Sequence, residues 1–469
     1  MSGRRLALPA LLLAAVLAGA AITAQVHADP RPLAIEEAIA RAQSGSEPVR
    51  IKALEAGKAG DRLAQARARA LPSIVLEASG SWLANPPEGI TVRAGELGTI
   101  PLPVPPFSIA LPSTDTVFVK DAEHTYFRAD VSLSQPLFTW GKIAAAIAIA
   151  EREVAAAGAG LAGQRRDIGK QAHAAYFGAL LAEKSLAVLA EMRIAAEAVR
   201  KDRQRAFEEG ACIRQDVLQA EAALASVESK LVEAEESRAT ALEGLAMLSG
   251  IPAADIRLAS GFRDALPALD EAALKTAATA GAPDLLAMRE RAGQAREKLA
   301  LENGGALLLP DFSLAVTLGV TGQKIPWASS DWTDTWDWDL RVSLGTRANL
   351  FDAGSSRAKA REAEKDVQAA GLGIAQLEKA TGVRVRTAVQ EARKKSAALA
   401  EARAKAGFAE EQARNARISF ENELATREEL NSASIALLSA RLATLLAGYE
   451  LEDALAEIEY LSGQDLGGR

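Results

Sequence analysis

The feature that most restricts this chain is a repeat of itself. Leu137-Phe138 with Gly141 recurs much further along as Leu350-Phe351 with Gly354. The same offset carries Ala150-Glu151-Arg152-Glu153-Val154 onto Ala363-Glu364-Lys365-Asp366-Val367, and Gly158, Gly160 and Gly169 onto Gly371, Gly373 and Gly382. It carries Phe207-Glu208 onto Phe420-Glu421, Arg214 onto Arg427, Ala220 onto Ala433, and Leu248-Ser249-Gly250 onto Leu461-Ser462-Gly463. Shared composition alone does not hold a register without a gap over so long a stretch. Upstream, Val131-Ser132-Leu133 matches Val342-Ser343-Leu344 with a slight slip, and Leu71-Pro72 matches Leu309-Pro310. The expectation is two copies of one unit, 29–261 and 262–469, differing mainly in one loop.

Each copy opens with a helical stretch, near 33–70 and 269–301, and then meets Leu-Pro, where a helix does not comfortably continue. A strand follows at 73–82 or 311–321, then a Pro-, Gly- or Trp-rich loop at 85–121 or 322–337, then a second strand at 127–137 or 339–350. Phe312, Leu314, Val316 and Leu318 share one face; Phe127, Ala129, Val131 and Leu133 alternate with Arg128, Asp130, Ser132 and Ser134. Strands of about 9–11 residues with one apolar face suit a transmembrane barrel. Four strands cannot close, because the smallest bacterial barrels use eight, and lipid does not tolerate an open sheet edge. If the strands lie in a membrane, the chain must oligomerise through them.

After each strand pair the pattern turns helical. Neither 142–207 nor 355–420 contains a proline, and a helix of that length, rising 1.5 Å per residue, reaches about 100 Å. Ile168, Ala172, Ala175, Ala179, Ala182, Leu186 and Leu189 alternate spacings of four and three, as do Val217, Ala220, Leu224, Val227, Leu231 and Ala234. These are seams of antiparallel coiled coils, expected over 142–249 and 355–462. About a fifth of the 469 residues are alanine, while only 4% are aromatic. Small seam residues let helix axes approach, and Gly158, Gly160, Gly163, Gly371 and Gly373 are expected to allow still closer approach, the alternative being simple flexible points. The fold class expected is thus mixed and mostly α, with long antiparallel coiled-coil helices plus four strands per chain, and a membrane protein if those strands lie in lipid.

All six tryptophans, at 82, 140, 327, 332, 336 and 338, fall in or beside the strand–loop regions. Trp82, Trp140, Trp327, Trp332, Trp336 and Trp338 are expected at the membrane–water interface, where an indole buries its body and wets its N–H. The competing reading is that they pack a small β domain. Segment 1–28 reads as a secretory signal, with Arg4 and Arg5 before an apolar run and Val26-His27-Ala28 before Asp29; an uncleaved anchor is the alternative. Removal of the two arginines takes the net charge from −7 to −9. The chain is not a basic nucleic-acid binder. One cysteine, Cys212, excludes an internal disulfide framework, and His124 and His173 have no partners at metal-ligand spacing. No phosphate loop, zinc-protease or redox motif is present, so no cofactor, metal or catalytic residue is expected.

The duplicated layout, Ser134-Gln135-Pro136-Leu137-Phe138 with Gly141, and Phe207-x-x-Gly210-x5-Asp216-Val217-x-x-Ala220 together resemble the TolC-type outer-membrane efflux proteins. That resemblance covers essentially the whole chain after the signal. It implies a homotrimer whose twelve strands close a barrel in outer-membrane lipid and whose helices form a periplasmic tunnel. It further implies an exit duct for efflux or type I secretion, docked at its helical tips by a periplasmic adaptor and served by an inner-membrane pump of RND, ABC or MFS type. Opening would be an iris-like loosening of the tips.

On that resemblance the tips are 207–220 and 420–433. Asp216, Glu428 and Glu429 are the expected constriction carboxylates. Gly210, Arg214, Val217, Ala220, Thr426, Arg427, Leu430 and Ala433 are the expected adaptor contacts. The family's second acid, three positions beyond Glu429, is Ser432 here, which leaves Glu429 to act with Glu428 or alone. The plainer reading of these charges is a solvated helix face. Two other functions compete: a periplasmic adaptor, which would need a single hairpin set in small β domains, and a structural coiled coil without a pore.

Overall fold

The computed structural model describes residues 32–101, 108–119, 123–305, 309–325, 330–348 and 351–467. The expected signal segment and Trp327 lie outside the described residues. The chain divides into two compact units: one takes the described parts of 1–54, 159–286 and 376–469, the other 55–158 and 287–375.

The order of elements is β1 (Pro32–Leu33), α1 (Ile35–Gly45), α2 (Glu47–Ala68), β2 (Ser73–Trp82), β3 (Ile90–Val92), β4 (Thr99–Pro101), β5 (Ser108–Ala110), β6 (Thr116–Val119), β7 (Thr125–Phe138), α3 (Lys142–Glu208) and α4 (Arg214–Ser249). Then come β8 (Arg257–Leu258), α5 (Glu271–Gly281), α6 (Pro283–Gly305), β9 (Asp311–Gly322), β10 (Trp336–Arg347), α7 (Ser355–Glu421) and α8 (Arg427–Ser462). The long helices of the second copy begin and end at the repeat offset from those of the first, without a slip.

The strand unit holds one antiparallel sheet in the order β10-β9-β7-β2. Its register sets Leu76, Val131, Leu318 and Leu340 in one row, and Ile74, Leu133, Val316 and Val342 in the next. That apolar face is bare: Leu76, Ile74, Leu340 and Val342 are all exposed. The opposite face carries Glu77, Asp130, Gly319 and Asp339 in one row. Water does not select a bare leucine and valine face of this size; hydrocarbon does. β2 and β10 each have one edge with no neighbouring strand among the described residues. The β7–β9 register slips between Pro136 and Phe138, where proline brings no N–H to the ladder.

Several expectations change. The opening helical stretches are each two helices. The first breaks at Ser46, with Pro48 in the first turn of α2, and the second at Ala282, with Pro283 opening α6. Proline fits a helix start because its missing N–H has no partner there anyway. The 85–121 loop contains a two-tier hairpin, β3 against β6 and β4 against β5. β10 starts at Trp336 and ends at Arg347, not 339–350, so Trp336 of the expected loop and Trp338 just beyond it belong to a strand.

The helical unit packs around three apolar clusters. In the largest, Val385, Val389 and Leu399 of α7 meet Leu451, Leu455 and Ile458 of α8. In the first copy Tyr176 and Phe177 of α3 join Leu33, Ile35, Leu242, Leu245 and Ile256. The buried Tyr176 hydroxyl donates to the Leu33 carbonyl and accepts from the Ala259 and Ser260 N–H groups, each at 2.8 Å. It ties the start of the described chain to the segment between the two copies. The glycines divide. A Cβ at Gly163 would meet Pro283 at 3.3 Å and one at Gly373 would meet the Met288 side chain at 2.5 Å. Gly158 and Gly371 face open space and carry no close approach.

Candidate functional site

The candidate site is the pair of tips where α3 turns into α4 and α7 into α8. Both helices stop the same way. Gly210 takes φ +75° and its equivalent in the second copy, Glu423, takes φ +60°. A left-handed residue after a helix lets following N–H groups bond back to its last carbonyls. Ala211 N–H donates to the Ala206 carbonyl at 2.7 Å, and Leu424 N–H donates to the Ser419 carbonyl at 2.8 Å. Glycine bears that conformation freely; glutamate, with a Cβ, does not.

The return helices start with acids at their third positions. The Glu429 carboxylate accepts from the Thr426 N–H at 2.8 Å, and Thr426 Oγ1 accepts from the Glu429 N–H at 3.2 Å, a full capping box. At the equivalent place the Asp216 carboxylate accepts from the Ile213 N–H at 3.2 Å. Isoleucine has no side-chain acceptor, so this box is half made. Two expected constriction carboxylates are therefore already engaged as helix caps. The third, Glu428, pairs with Arg203 of α3.

Arg203 and its neighbour Asp202 were not among the expected site residues. Arg427 Nη1 lies 3.8 Å from Asp202 Oδ1, so two ion pairs join the end of α3 to the start of α8. Cys212 Sγ donates to the Arg203 carbonyl at 3.4 Å. No sequence signal identified Asp202 and Arg203, because their partners lie in the other copy of the repeat. The Thr426-x-x-Glu429 box did have a signal: threonine followed three positions later by glutamate at a helix start.

The expected contact residues divide by burial. Val217 is 0% and Ala220 6% exposed, so they pack the arm seam and offer no surface to a partner. Gly210, Arg214, Thr426 and Arg427 line the turns and are exposed, and Leu430 and Ala433 are half-buried. The Arg214 guanidinium stands 6.0 Å from the Phe207 ring and that of Arg427 5.9 Å from the Phe420 ring. Ile213 and Leu424, not anticipated, are 63% and 82% exposed.

The described tryptophans stand at the two ends of the sheet. Trp82 and Trp338 are exposed on the apolar face. Trp336 packs beside Phe127 and Trp332, and its indole N–H donates to the Lys324 carbonyl at 2.9 Å. At the other end Trp140 donates to the Pro310 carbonyl at 2.9 Å and meets Phe138 edge-on.

A lipid-facing sheet joined to long paired helices defines an outer-membrane channel fold. The comparisons agree. Residues 38–251 match the outer membrane efflux protein family. The fold is that of the CmeC outer membrane channel of Campylobacter jejuni (TM-score 0.70, 16% identity, 92% of this chain and 87% of that one covered). It is also that of VceC of Vibrio cholerae (0.69, 18%, 92% and 97%) and of the open state of the MtrE channel of Neisseria gonorrhoeae (0.69, 18%, 94% and 90%). No curated protein matches the sequence. Residues 38–251 are thus similar in sequence to that family, and the chain shares the fold of these outer-membrane channels. The matched family and these solved structures are outer-membrane proteins.

Proposed function

We infer that three copies of this chain form one exit duct, each contributing four strands to a barrel of twelve. The observation that carries this is the open four-stranded sheet: its apolar face is bare and its two edges, β2 and β10, have no neighbouring strand among the described residues. An edge in lipid leaves backbone N–H and C=O groups unsatisfied at several kcal/mol each, and pairing β2 of one copy with β10 of the next removes every edge. Val383, Phe408 and Leu446 of α7 and α8 are likewise exposed apolar side chains that neighbouring copies would cover. Purified protein should run as a heat-sensitive trimer and give discrete conductance steps in planar bilayers. A monomer without steps would defeat this reading.

The duct conducts passively and opens at its periplasmic tips. The pairs Arg203–Glu428 and Arg427–Asp202 hold the two hairpins together there, while Asp216 and Glu429 shape the turns that carry them. Exposed Ile213, Leu424 and Arg214, with Thr426 beside them, form the docking surface for a periplasmic adaptor, which links the duct to an inner-membrane pump. The double variant Arg203→Ala/Arg427→Ala should raise single-channel conductance several-fold. Conductance equal to the parent's would remove these pairs from the gate.

A further inference from the structure

The ends of the sheet do not follow its hydrogen-bonded rows. At the loop end Trp82 of β2 and Thr125 of β7 share a row. β9 and β10 stop short of it, at Gly322 and Trp336, which lie in the row of Phe127 and Gly80. At the helix end β2 begins at Ser73, in a row with Ser134, Ala315 and Ser343, while β10 runs on to Arg347. Both ends thus fall in the same sense from β2 to β10, toward the helices. Rows run perpendicular to strands, so this fall is the mark of strands tilted against the layer that the apolar band defines.

That tilt decides how two copies meet. If β10 met the next copy's β2 along unbroken rows, Trp336 would face Gly80 and Asp339 would face Glu77. Like charges directly opposite one another destabilise a sheet. Rows that closed on themselves would also leave the strands without tilt, whereas membrane barrels tilt theirs by about 35–45°. Side-chain alternation permits only even shifts, since an odd one turns every apolar residue into the lumen. At about 3.4 Å per residue and about 4.8 Å per strand, over the four strands of a copy, a shift of about two residues gives a tilt of about 20°, about four gives about 35° and about six gives about 47°. The fall within the chain sets the sense: it moves the next copy's β2 toward the helix end. In that sense a shift of about four lets the whole of β2 pair, from Trp82 with Trp338 to Ser73 with Arg347. The opposite shift leaves Glu77 to Trp82 facing no residue of β10.

On the reading that three copies join edge to edge, we propose that Glu77 of one copy faces Ser343 of the next, which places Leu76 against Leu344, Ala78 against Val342 and Trp82 against Trp338. The lipid face then runs unbroken across the junction. Trp82 and Trp338, 69% and 73% exposed in the single chain, cover one another at the loop end, where a cross-strand aromatic pair stabilises a sheet. On the lumen face Glu77 exchanges the Asp339 carboxylate for the Ser343 hydroxyl and gains Arg341 as a diagonal neighbour. Three such junctions close a barrel of shear about twelve. The β2–β10 seam thus fits a second copy of this chain in one register.

Disulfide trapping in the membrane reads the register. In a Cys212→Ser background, which removes the native thiol, Glu77→Cys/Ser343→Cys should link neighbouring copies under mild oxidation. Denatured, unreduced protein should then run as covalent dimers and trimers. The link cannot form within one chain, because β7 and β9 lie between β2 and β10 and hold them about 14 Å apart. Opposed residues stand about 5 Å apart, Cα to Cα; the next permitted register puts the same pair about 8 Å apart, beyond the reach of a disulfide at about 7 Å. Glu77→Cys/Asp339→Cys, Glu77→Cys/Arg341→Cys and Glu77→Cys/Gly345→Cys should therefore link at least several-fold less. Ala78→Cys/Val342→Cys repeats the test on the lipid face if the lumen pair fails to fold. A heat-sensitive trimer that links best through another of these partners, or through none, would overturn the register and leave the trimer standing. Unlinked parent protein that runs as a monomer would remove both.

Discussion

The two helical tips are the same turn built twice with different tolerances. The first uses Gly210 for the left-handed residue; the second forces Glu423 into it. The first caps its return helix with half a box, through Asp216; the second closes the full box between Thr426 and Glu429. The first buries Val217 completely, while its equivalent, Leu430, is only half-buried. Strain is low and packing tight in the first tip; in the second, a strained turn is offset by a better cap. Only the second tip carries Arg427 and Glu428, whose ion pairs reach across to the first hairpin. The tip with looser packing is thus the one fastened by charges.

Native-state hydrogen exchange at the turn amides can break this contrast. The largest effect is expected from Val217→Ala, which removes fully buried methyl-sized groups and should weaken the first tip by about 2 kcal/mol. Leu430→Ala deletes more atoms yet should cost less; the reverse order would show that the packing difference is not real in solution. Next come the turn residues, with opposite signs. Glu423→Gly should protect the second tip by about 1 kcal/mol, and Gly210→Ala should weaken the first by a similar amount. Equal signs would mean that the two turns are not equivalent. Thr426→Ala should cost about 1 kcal/mol and Asp216→Ala about half that, because only the second box is complete. The smallest effect belongs to Arg214→Ala, where an exposed guanidinium–ring contact contributes no more than about 0.5 kcal/mol.

Much of the fold could be read along the chain. Alternation in Phe127–Leu133 and Phe312–Leu318 separated a lipid face from a polar one, because side-chain direction in a strand depends only on odd and even positions. The four-three spacing from Val217 to Ala234 marked a seam whose members are buried or half-buried, while the rest of that stretch, Glu221 apart, is exposed. The helix breaks at Ser46 and Ala282 were missed although Pro48 and Pro283 announced them. The extra hairpin of the long first loop was missed because its strands are three or four residues each, too short to show a period. At the tips, the Thr426–Glu429 box was legible and overlooked, whereas Arg203 and Asp202 were not legible at all.

By itself the sequence determined what depends on near neighbours: the repeat, the faces of the strands, the seams, and the turns that end helices at Gly210 and begin them at Thr426. These follow from periods of about two and about 3.6 along the chain and from bonds that span three or four positions. Only the tertiary structure decided which distant groups meet. β7 lies beside β9, so that the two copies share one sheet. Arg203 finds Glu428, and His173 and Arg263 converge on Glu452. No local period records such meetings. They arise when packed helices and paired strands bring together residues far apart in the chain, and burial then fixes how much each charge depends on its partner.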